Sequence, residues 1–551
     1  MKIGKEMKFR ASRCRLSWWR HNKTSHRRLG KRKHEITFSP HPLTRENRQR
    51  VRGDKKMYRA VLASIILMWT IPVSDATEGP SSHSTSKRYN VLFVAIDDLN
   101  DWVGCFGGNT QVKTPNLDKL ASEGGMVMTN AYAPATVCCP SRSALLTGVH
   151  AHRTGVYGNK NNLKNAPKAR DLVTLPEYFS QHGYHTLSMG KIFHRHPLPG
   201  ENGSHKSDAG QWAFDEYHNT LGGIGPASKE RPVNGLPNLP SEKPSYHYHA
   251  FDWGPTALND AAEMLDYKTA SWAAEQLQTR DFDGKPFFMA IGISKPHLTW
   301  YVPQKYFDMY PLDKIVLPKT LATDLDDILD HNGKRVYEPS TAWLRAEKNG
   351  RHKEAVQAYL ATITFVDDCI GVLLRGLAQS RYADNTIVML WGDHGWFLGE
   401  KLRYGKTQLW QESCRVPLMV KVPGVTPKDK QCTGVVNLID LYPTLIELCD
   451  LPENPVIDGR SFAPLLQNPD MEWNHPSLTN GCSPGFYRVY DGRYSYISNR
   501  QRGAEELYDH ERDPMEWTNL ASNSEFAGIK SRMKALMPKT DEPKSPENPD
   551  G

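Results

Sequence analysis

The chain has 551 residues and a formal net charge of +8, and this length suits a large α/β enzyme built on one core. Its basic character is concentrated in residues 1–56, which hold 19 Lys and Arg against 4 Asp and Glu. The remainder carries 50 basic and 57 acidic residues. The folded part is therefore expected to be slightly acidic, which gives no support for nucleic-acid binding.

The first element in chain order is a secretory signal. Met57 is followed by an apolar run over 60–73 and by the small residues of a cleavage site at 74–76. Because the run is too short for a membrane span, we expect no stable span after cleavage and a secreted or periplasmic protein. The basic extension and signal occupy 1–76, with translation starting at Met57, and 77–88 form a linker. The alternative is a basic cytoplasmic tail that precedes a signal anchor.

Four apolar runs predict strands that are buried on both faces, as in a mainly parallel sheet. Each run ends in titratable residues: 91–96 in Asp97 and Asp98, 186–189 in Lys191 and His194, 287–293 in Lys295 and His297, and 386–391 in Asp393 and His394. Ligands of open α/β sheets bind beyond the carboxyl ends of the strands. The four strand ends are therefore expected to bring these side chains into one cleft.

Helices are predicted between and after these strands, over 116–123, 175–182, 266–280, 353–379 and 437–448. The apolar stripe of the 353–379 helix, which includes Tyr359, is assigned wholly to core packing. Alternation around Asp491-Gly492 predicts a hairpin in a small antiparallel sheet. We expect a catalytic domain over 89–454, a smaller α+β subdomain over 455–537, a long insertion over 197–260 and a disordered tail over 538–551.

The motif at 138–148 reads C-x-P-S-R-x-x-x-L-T-G and is the most informative part of the chain. Pro140 suits the first turn of a helix, which places Cys138 at a helix N-terminus, where negative charge is favoured. Arg142 adds a permanent positive charge nearby. As an isolated pair, Cys138 and Cys139 would be buried or disulfide-bonded thiols. Eight cysteines lie beyond residue 57, and their spacing does not determine a disulfide pattern.

The motif resembles the signature of the type I sulfatases, and the resemblance extends from about Tyr89 to Leu520. It implies an alkaline phosphatase-like α/β fold, with a large mixed, mainly parallel sheet flanked by helices and a small C-terminal antiparallel sheet with a helix. It also implies that a formylglycine-generating enzyme oxidises Cys138 to an aldehyde before folding is complete. One hydroxyl of the hydrated aldehyde would attack sulfur, and collapse of the diol would then release sulfate.

The site residues follow from the same resemblance. A calcium site is expected from an oxygen of modified residue 138 together with Asp97, Asp98, Asp393 and His394. Carboxylates suit calcium, whereas imidazole is a softer ligand, so His394 either lowers the affinity for calcium or favours another metal. The catalytic set is Cys138, Arg142, Lys191, His194, His297 and Lys406. His297 is expected to be the acid for the leaving alcohol, and His194 the base for collapse of the diol.

The implied activity is sulfuric ester hydrolysis, with a sulfated sugar or polysaccharide as the substrate. His150 and His152 are weaker candidates for substrate contact. Two other functions stay open: a phosphoesterase or phosphonate monoester hydrolase of the same fold, and a secreted glycan-binding protein without catalysis. Comparing the release of sulfate with that of phosphate tests the phosphoesterase alternative. The complete set of charged strand ends argues against a protein without catalysis. Considered alone, Asp97-Asp98 would be an ordinary strand-end turn.

Overall fold

The computed structural model describes residues 88–194, 210–218, 233–237, 251–258 and 260–547. The predicted leader, signal peptide and most of the 197–260 insertion lie outside these ranges. The strands are β1 Asn90–Ile96, β2 Met126–Met128, β3 Ala131–Tyr132, β4 His185–Gly190, β5 Glu216–His218, β6 Trp253–Pro255, β7 Phe287–Ile293, β8 Trp300–Val302, β9 Thr386–Gly392, β10 Phe397–Leu398, β11 Tyr404–Gly405, β12 Leu418–Lys421, β13 Gln431–Cys432, β14 Val436–Asn437, β15 Ser477–Asn480, β16 Phe486–Tyr490, β17 Tyr494–Asn499 and β18 Ala504–Asp509.

Four of the predicted helices agree with the structure to within one residue at each end, and shorter helices are added between them. The helix predicted over 437–448 begins only at Leu441, because Asn437 ends β14 and caps a 3₁₀ turn over Leu438–Asp440. They are α1 Pro115–Ser122, α2 Cys138–Thr147, α3 Ala151–Thr154, α4 Leu175–Gln181, α5 Leu265–Thr279, α6 Gln304–Asp308, α7 Thr341–Lys348, α8 His352–Ala378, α9 Gln411–Cys414, α10 Leu441–Leu448, α11 Ala463–Gln467 and α12 Ala527–Ala535. Thr174 and Glu177 form a capping box at the start of α4, and such a box satisfies two N–H groups that the helix itself leaves free. No helix within the described ranges has the length and apolar content that crossing a bilayer requires.

The main sheet has eight strands in the order β13-β2-β12-β9-β1-β7-β4-β5. The central pairs β9–β1, β1–β7 and β7–β4 are parallel, whereas β12 runs antiparallel to both β9 and β2. The sheet is therefore mixed and mainly parallel, as predicted. The four strands predicted to end in titratable residues are direct neighbours at its centre.

The register aligns the carboxyl ends of these four strands. Ile96 pairs with Ile293 and with Gly392, and Gly190 pairs with Gly292. The residues that follow each strand therefore leave the sheet at the same edge, as the sequence predicts.

Both faces of the main sheet are covered, which explains why its central strands are almost continuously apolar. Alternate residues of β1 point to opposite sides: Leu92 and Val94 join a core with α5 and α8, whereas Val91 and Phe93 join a core with α2, α4 and α10. The C-x-P-S-R motif and the long helix α8 are thus held on opposite faces of one sheet.

The smaller sheet β15-β16-β17-β18 is antiparallel throughout, and α12 packs against it. The hairpin β16–β17 turns at Asp491-Gly492, as predicted. The predicted tail differs from the structure, because residues 541–545 form backbone hydrogen bonds with residues of and just after α3 instead of being disordered. Backbone pairing stabilises this segment despite its polar composition. Residues 548–551 lie outside the described ranges.

Candidate active site

Cys138 is the first residue of α2, so the motif lies at a helix N-terminus as predicted. Its side chain is fully buried. The Sγ atom lies 3.1 Å from Lys406 Nζ and 3.3 Å from His394 Nε2, and it lies close enough to His194 and His297 to favour the protonated form of each. Cys138 is therefore the centre of a cluster formed by four strand ends and the 404–407 segment.

Three carboxylates surround this centre. Asp97 and Asp98 follow β1, and Asp393 follows β9. The Asp98 N–H donates to Asp393 Oδ1 at 3.0 Å, which fixes the two strand ends relative to each other. Asp98 Oδ1 lies 4.0 Å from Cys138 Sγ and 3.3 Å from His394 Nε2. The predicted acidic cluster therefore forms.

Arg142 lies one helical turn after Cys138 and is fully buried. Its Nε donates to Asp393 Oδ2 at 2.7 Å, and Nη1 donates to the carbonyl oxygens of Lys191 and Ile192. Nη2 lies 3.5 Å from Asp97 Oδ1. The sequence places Arg142 in the catalytic set, but the structure shows a guanidinium that ties the ends of β1, β4 and β9 together. It is a positioning residue.

Two lysines supply cations to the same cluster. Lys191 Nζ donates to Asp97 Oδ2, and Lys406 Nζ donates to Asp98 Oδ1 at 2.6 Å. Carboxylate charge outweighs burial and raises the pKa of both lysines, so both carry full charge at neutral pH. Burial favours the thiol of Cys138, but Lys191, Lys406 and His394 outweigh it and hold the pKa of Cys138 well below its usual value. The pocket is therefore built to hold negative charge at residue 138.

The two predicted proton-transfer histidines differ in charge. Burial lowers the pKa of His194 to about 4, which makes the imidazole neutral. His297 Nε2 lies 3.8 Å from Asp98 Oδ2. The charges of Asp98 and Asp97 outweigh burial there and raise the pKa of His297. One histidine is thus suited to accept a proton and the other to donate one.

The donor set fits a hard divalent cation. Ligand atoms of Asp97, Cys138, Asp393 and His394 all lie within 4.8 Å of one another, and the same holds for a second group in which Asp98 and His297 join Asp97 and Cys138. Within the described ranges, Asp97 Oδ1 and Asp98 Oδ2 are buried without a hydrogen-bond partner. Unpaired buried carboxylate oxygens are costly, and a cation between them removes this cost.

Sequence reasoning missed three residues that shape the site. Tyr359, assigned to core packing, donates its hydroxyl hydrogen to the Asp98 carbonyl at 2.7 Å and accepts the Asn100 N–H at 3.0 Å. Ser141 Oγ donates to the Asp393 carbonyl at 2.5 Å. Asn159 Oδ1 accepts the Cys139 N–H at 2.9 Å. No local signal marks Tyr359, but Ser141 is part of the motif.

His150 and His152 do not reach this cluster. They lie beyond the C-terminal end of α2, roughly 15 Å along the helix from Cys138, and their rings stack on each other at 5.6 Å. His150 is buried, and its N–H donates to Asp458. Their assignment as substrate contacts stays a prediction. The eight cysteines of the described residues, Cys138 included, form no disulfide.

Comparisons with known proteins identify the family. The sulfatase family model matches residues 89–451, and a model of the C-terminal part of N-sulphoglucosamine sulphohydrolase matches residues 392–542. A sulfatase of Formosa agariphila is 37% identical over 461 residues, which cover 82% of this chain and 86% of that protein. Human iduronate 2-sulfatase is 29% identical, over 83% of this chain and 95% of its own length. The motifs quoted above also resemble those of iduronate 2-sulfatase.

Solved structures share the fold. A protein in complex with its substrate D-glucosamine-2-N,6-O-disulfate superposes with a TM-score of 0.60 at 22% identity, over 82% of this chain and 97% of its own. A phosphonate monoester hydrolase of Agrobacterium radiobacter superposes with a TM-score of 0.65 at 19% identity, over 81% and 94%. At these identities the likeness shows the fold alone, which is alkaline phosphatase-like. The family match covers more than half of the sequence, and this chain therefore belongs to the sulfatase family of sulfuric ester hydrolases.

Proposed function

We propose that this protein is an exported sulfatase that hydrolyses sulfate esters of sugars or polysaccharides, with formylglycine at residue 138 and one calcium ion. The observation that carries the proposal is the convergence of four neighbouring strand ends on the first cysteine of the C-x-P-S-R motif. Relatives support the substrate class, since one similar enzyme is named for iduronate and a similar structure holds a disulfated glucosamine.

The modified residue would supply the nucleophile. Hydration of an aldehyde at residue 138 gives a geminal diol, one hydroxyl of which can attack sulfur while the other allows release of sulfate. Cys138 Sγ marks the position that the diol oxygens would take. Because Cys138 is fully buried, a formylglycine-generating enzyme has to act before the chain has folded around it.

Asp97, Asp98, Asp393 and His394, together with an oxygen of residue 138, would hold the calcium ion. Its positive charge would stabilise negative charge on the sulfate oxygens and on the nucleophile. Arg142 would hold Asp97 and Asp393 in place through its contacts with both carboxylates.

Lys191 and Lys406 would neutralise the sulfate group as charge develops in the transition state, where preorganised cations act most strongly. His297 would donate a proton to the oxygen of the leaving alcohol. His194, whose pKa is affected by residue 138, would take a proton from the diol as it collapses. Each role is assigned by position around Cys138 and by chemical type.

A desulfation panel tests the function. The purified protein, co-expressed with a formylglycine-generating enzyme, is incubated with 4-nitrophenyl sulfate, 4-nitrophenyl phosphate and a set of sulfated mono- and polysaccharides. We expect sulfate release from the aryl ester and from at least one sugar. Dominant phosphate release would instead support the phosphoesterase alternative, and binding of glycans without any hydrolysis would support a non-catalytic protein.

Peptide mass spectrometry tests the modification. The tryptic peptide that contains residue 138 should lose mass as expected for thiol-to-aldehyde conversion at Cys138, with none at Cys139. Cys138→Ala should abolish turnover with little effect on folding, whereas Cys139→Ala should be mild because the motif accepts many residues there. Full activity with an unmodified Cys138 contradicts the proposed nucleophile.

Export is proposed from the signal-like run after Met57. N-terminal sequencing of the exported protein should find a start near Thr77. Recovery of residues 1–56 on the exported form would contradict both the start at Met57 and the cleavage site.

A further inference from the structure

Lys295 is the one titratable residue at the four strand ends that has no role in the proposed mechanism. It lies just after β7 and two residues before His297. Its side chain is only 1% exposed, although a charged ammonium group is costly to bury. Buried charges are kept where they are paired or hydrogen-bonded, so the contacts of this ammonium group indicate what it does.

The ammonium group of Lys295 lies against the backbone of the loop that carries His297. Nζ donates to the carbonyl oxygen of Thr299 and, at 3.4 Å, to the carbonyl oxygen of His297. It therefore joins the first part of the loop to two backbone groups further along it. An ammonium group suits this task, because its three N–H donors can reach carbonyl groups that lie in different directions.

Other contacts fix the two ends of this loop. Asp266, in the first turn of α5, accepts the N–H groups of Ser294 and Lys295, each at 2.9 Å. Trp300 Nε1, in β8, donates to the Pro296 carbonyl at 2.8 Å. The loop is thus anchored to α5 and to β8, and Lys295 braces the part that lies between.

The braced part of the loop determines which nitrogen of His297 faces the nucleophile. Nδ1 lies 2.7 Å from the Leu298 carbonyl oxygen, and because a carbonyl only accepts, Nδ1 carries the hydrogen of this bond. Nε2 is directed to Asp98, with 3.8 Å between Nε2 and Oδ2. A ring nitrogen of His297 also lies within 4.8 Å of Cys138 Sγ. The proton that His297 can give away is therefore the one on Nε2.

We propose that Lys295 is a positioning residue, which holds the backbone of residues 297–299 so that His297 Nε2 meets the oxygen of the leaving alcohol. This rests on the proposed role of His297 as the acid. Because Lys295 is buried, it acts through His297 and not on the substrate. Misplacement of a reacting group by about 1 Å can lower a rate about 100-fold, so loss of this support should weaken proton transfer to the leaving group.

Two aryl sulfates with different leaving groups test the proposal. 4-Nitrophenolate leaves readily as an anion, whereas phenolate, with a pKa of about 10 like that of the tyrosine side chain, depends more on a proton. The measured quantity is kcat/KM, which includes the step that releases the alcohol. The full-length protein is co-expressed with a formylglycine-generating enzyme. Lys295→Met should lower kcat/KM about 30-fold for phenyl sulfate and less than about 3-fold for 4-nitrophenyl sulfate.

Four further variants are measured beside it. His297→Ala should show the same difference at larger size, with a loss of about 100-fold or more on phenyl sulfate. Lys406→Ala removes a cation proposed to act on the sulfate, so it should lower both rates by the same factor. Lys314→Met, at an exposed lysine, should change neither. Lys295→Gln keeps an N–H donor, so its loss should be smaller than that of Lys295→Met, and it takes the place of Lys295→Met if that protein does not fold.

The results separate a positioning role from a purely structural one. The proposal is overturned if Lys295→Met lowers both rates equally, or neither, while His297→Ala discriminates between the two substrates. If His297→Ala does not discriminate either, the assignment of the acid is wrong and the proposal falls with it. Sulfate release from 4-nitrophenyl sulfate by the unsubstituted protein shows separately whether the sulfatase assignment stands.

Discussion

Asp98 and Lys406 are in direct contact, yet they are assigned different tasks. In the proposed mechanism Asp98 would offer oxygens to calcium, whereas Lys406, which lies between Asp98 Oδ1 and Cys138 Sγ, would face the substrate. The two roles can be tested separately, because substitution of Asp98 should lower calcium binding, whereas substitution of Lys406 should not.

Asp98→Asn and Asp393→Asn should each lower bound calcium together with activity. Lys406→Ala should retain calcium and reduce sulfate release on the order of 100-fold, because a preorganised cation stabilises mainly the transition state. Elemental analysis beside a sulfate-release assay checks this, and chelation followed by addition of calcium should abolish and restore activity. Loss of calcium in Lys406→Ala would show that its role is wrongly assigned.

Tyr359 provides a second test at the scale of a single residue. Asp98 has a left-handed φ of 63°, and the Tyr359 hydroxyl holds this turn through the Asp98 carbonyl and the Asn100 N–H. Tyr359→Phe leaves both backbone groups buried and unpaired. It should therefore lower the free energy of unfolding by about 1–3 kcal/mol and weaken calcium binding.

The control is Tyr306→Phe, which breaks the hydrogen bond to Asp368 and should lower the free energy of unfolding without changing calcium affinity. Urea unfolding and calcium titration measure the two quantities.

The sequence predicts the charged members of the site better than the residues that support them. Asp97, His297 and Lys406 stand at recognisable strand ends or motifs, where residue type alone suggests chemistry. Tyr359 lies in an apolar stripe of α8 at helical spacing, which predicts core packing. Only the structure shows that its hydroxyl bonds to the turn at Asp98 and Asn100. The contacts of the buried Arg142 likewise could not be predicted, because they join residues after β1, β4 and β9, which are far apart in the sequence.

At the scale of elements, β4 and β7 approach each other unusually closely at their carboxyl ends. A Cβ on Gly292 would lie 2.2 Å from the Lys191 carbonyl oxygen, and one on Gly190 would lie 2.1 Å from the Gly292 carbonyl oxygen. Gly190 also has a φ of +84°, which favours glycine. Glycine at both positions therefore sets how far Lys191 stands from Asp97.

Gly292→Ala should displace Lys191, lower kcat of sulfate release and destabilise the fold by about 1–3 kcal/mol, as overpacking of a core does. A matched control is Gly528→Ala in α12, where no atom lies within 4 Å of the new methyl group. That variant should be fully active and more stable by about 0.5–1 kcal/mol. Unchanged kcat in Gly292→Ala would mean that strand spacing does not control the position of Lys191.

At the scale of the whole molecule, the small sheet is joined to the catalytic part through buried polar contacts. Glu506 of β18 accepts hydrogen bonds from Trp410 Nε1 and from the Tyr508 hydroxyl, each at 2.7 Å. Burial raises the pKa of this carboxyl to about 7. The junction therefore contains a carboxyl group, that of Glu506, which is harder to ionise in the folded protein than in the unfolded chain.

The sign of the pH effect follows from this raised pKa. Stabilisation by protonated Glu506 is complete below pH 4.5 and is lost as pH rises through 7, with a maximum of roughly 3 kcal/mol. Glu506→Gln should remove this loss, so the difference in unfolding free energy between variant and unsubstituted protein should grow from pH 5 to pH 8. Glu505→Gln, at a half-buried carboxylate paired with Lys534, should leave the pH dependence between pH 5 and pH 8 intact. Urea unfolding across this range measures both.

The overall architecture was accessible from sequence because periodicity and strand-end chemistry are local signals. The antiparallel strand β12 inside the main sheet and the docking of residues 541–545 are not local, because each depends on pairing between segments far apart in the chain. The polar composition after residue 538 predicts disorder, and it gives no sign that the backbone of residues 541–545 finds partners near α3.

The contacts of residues 541–545 have a consequence for the timing of synthesis. These residues bond to residues 152–161, so the contacts cannot form until nearly all of residues 152–545 have been synthesised. The loop at 159–161, which bonds to the N–H next to Cys138, therefore gains its final contacts last. Under the proposed modification, chemistry at residue 138 would precede this step.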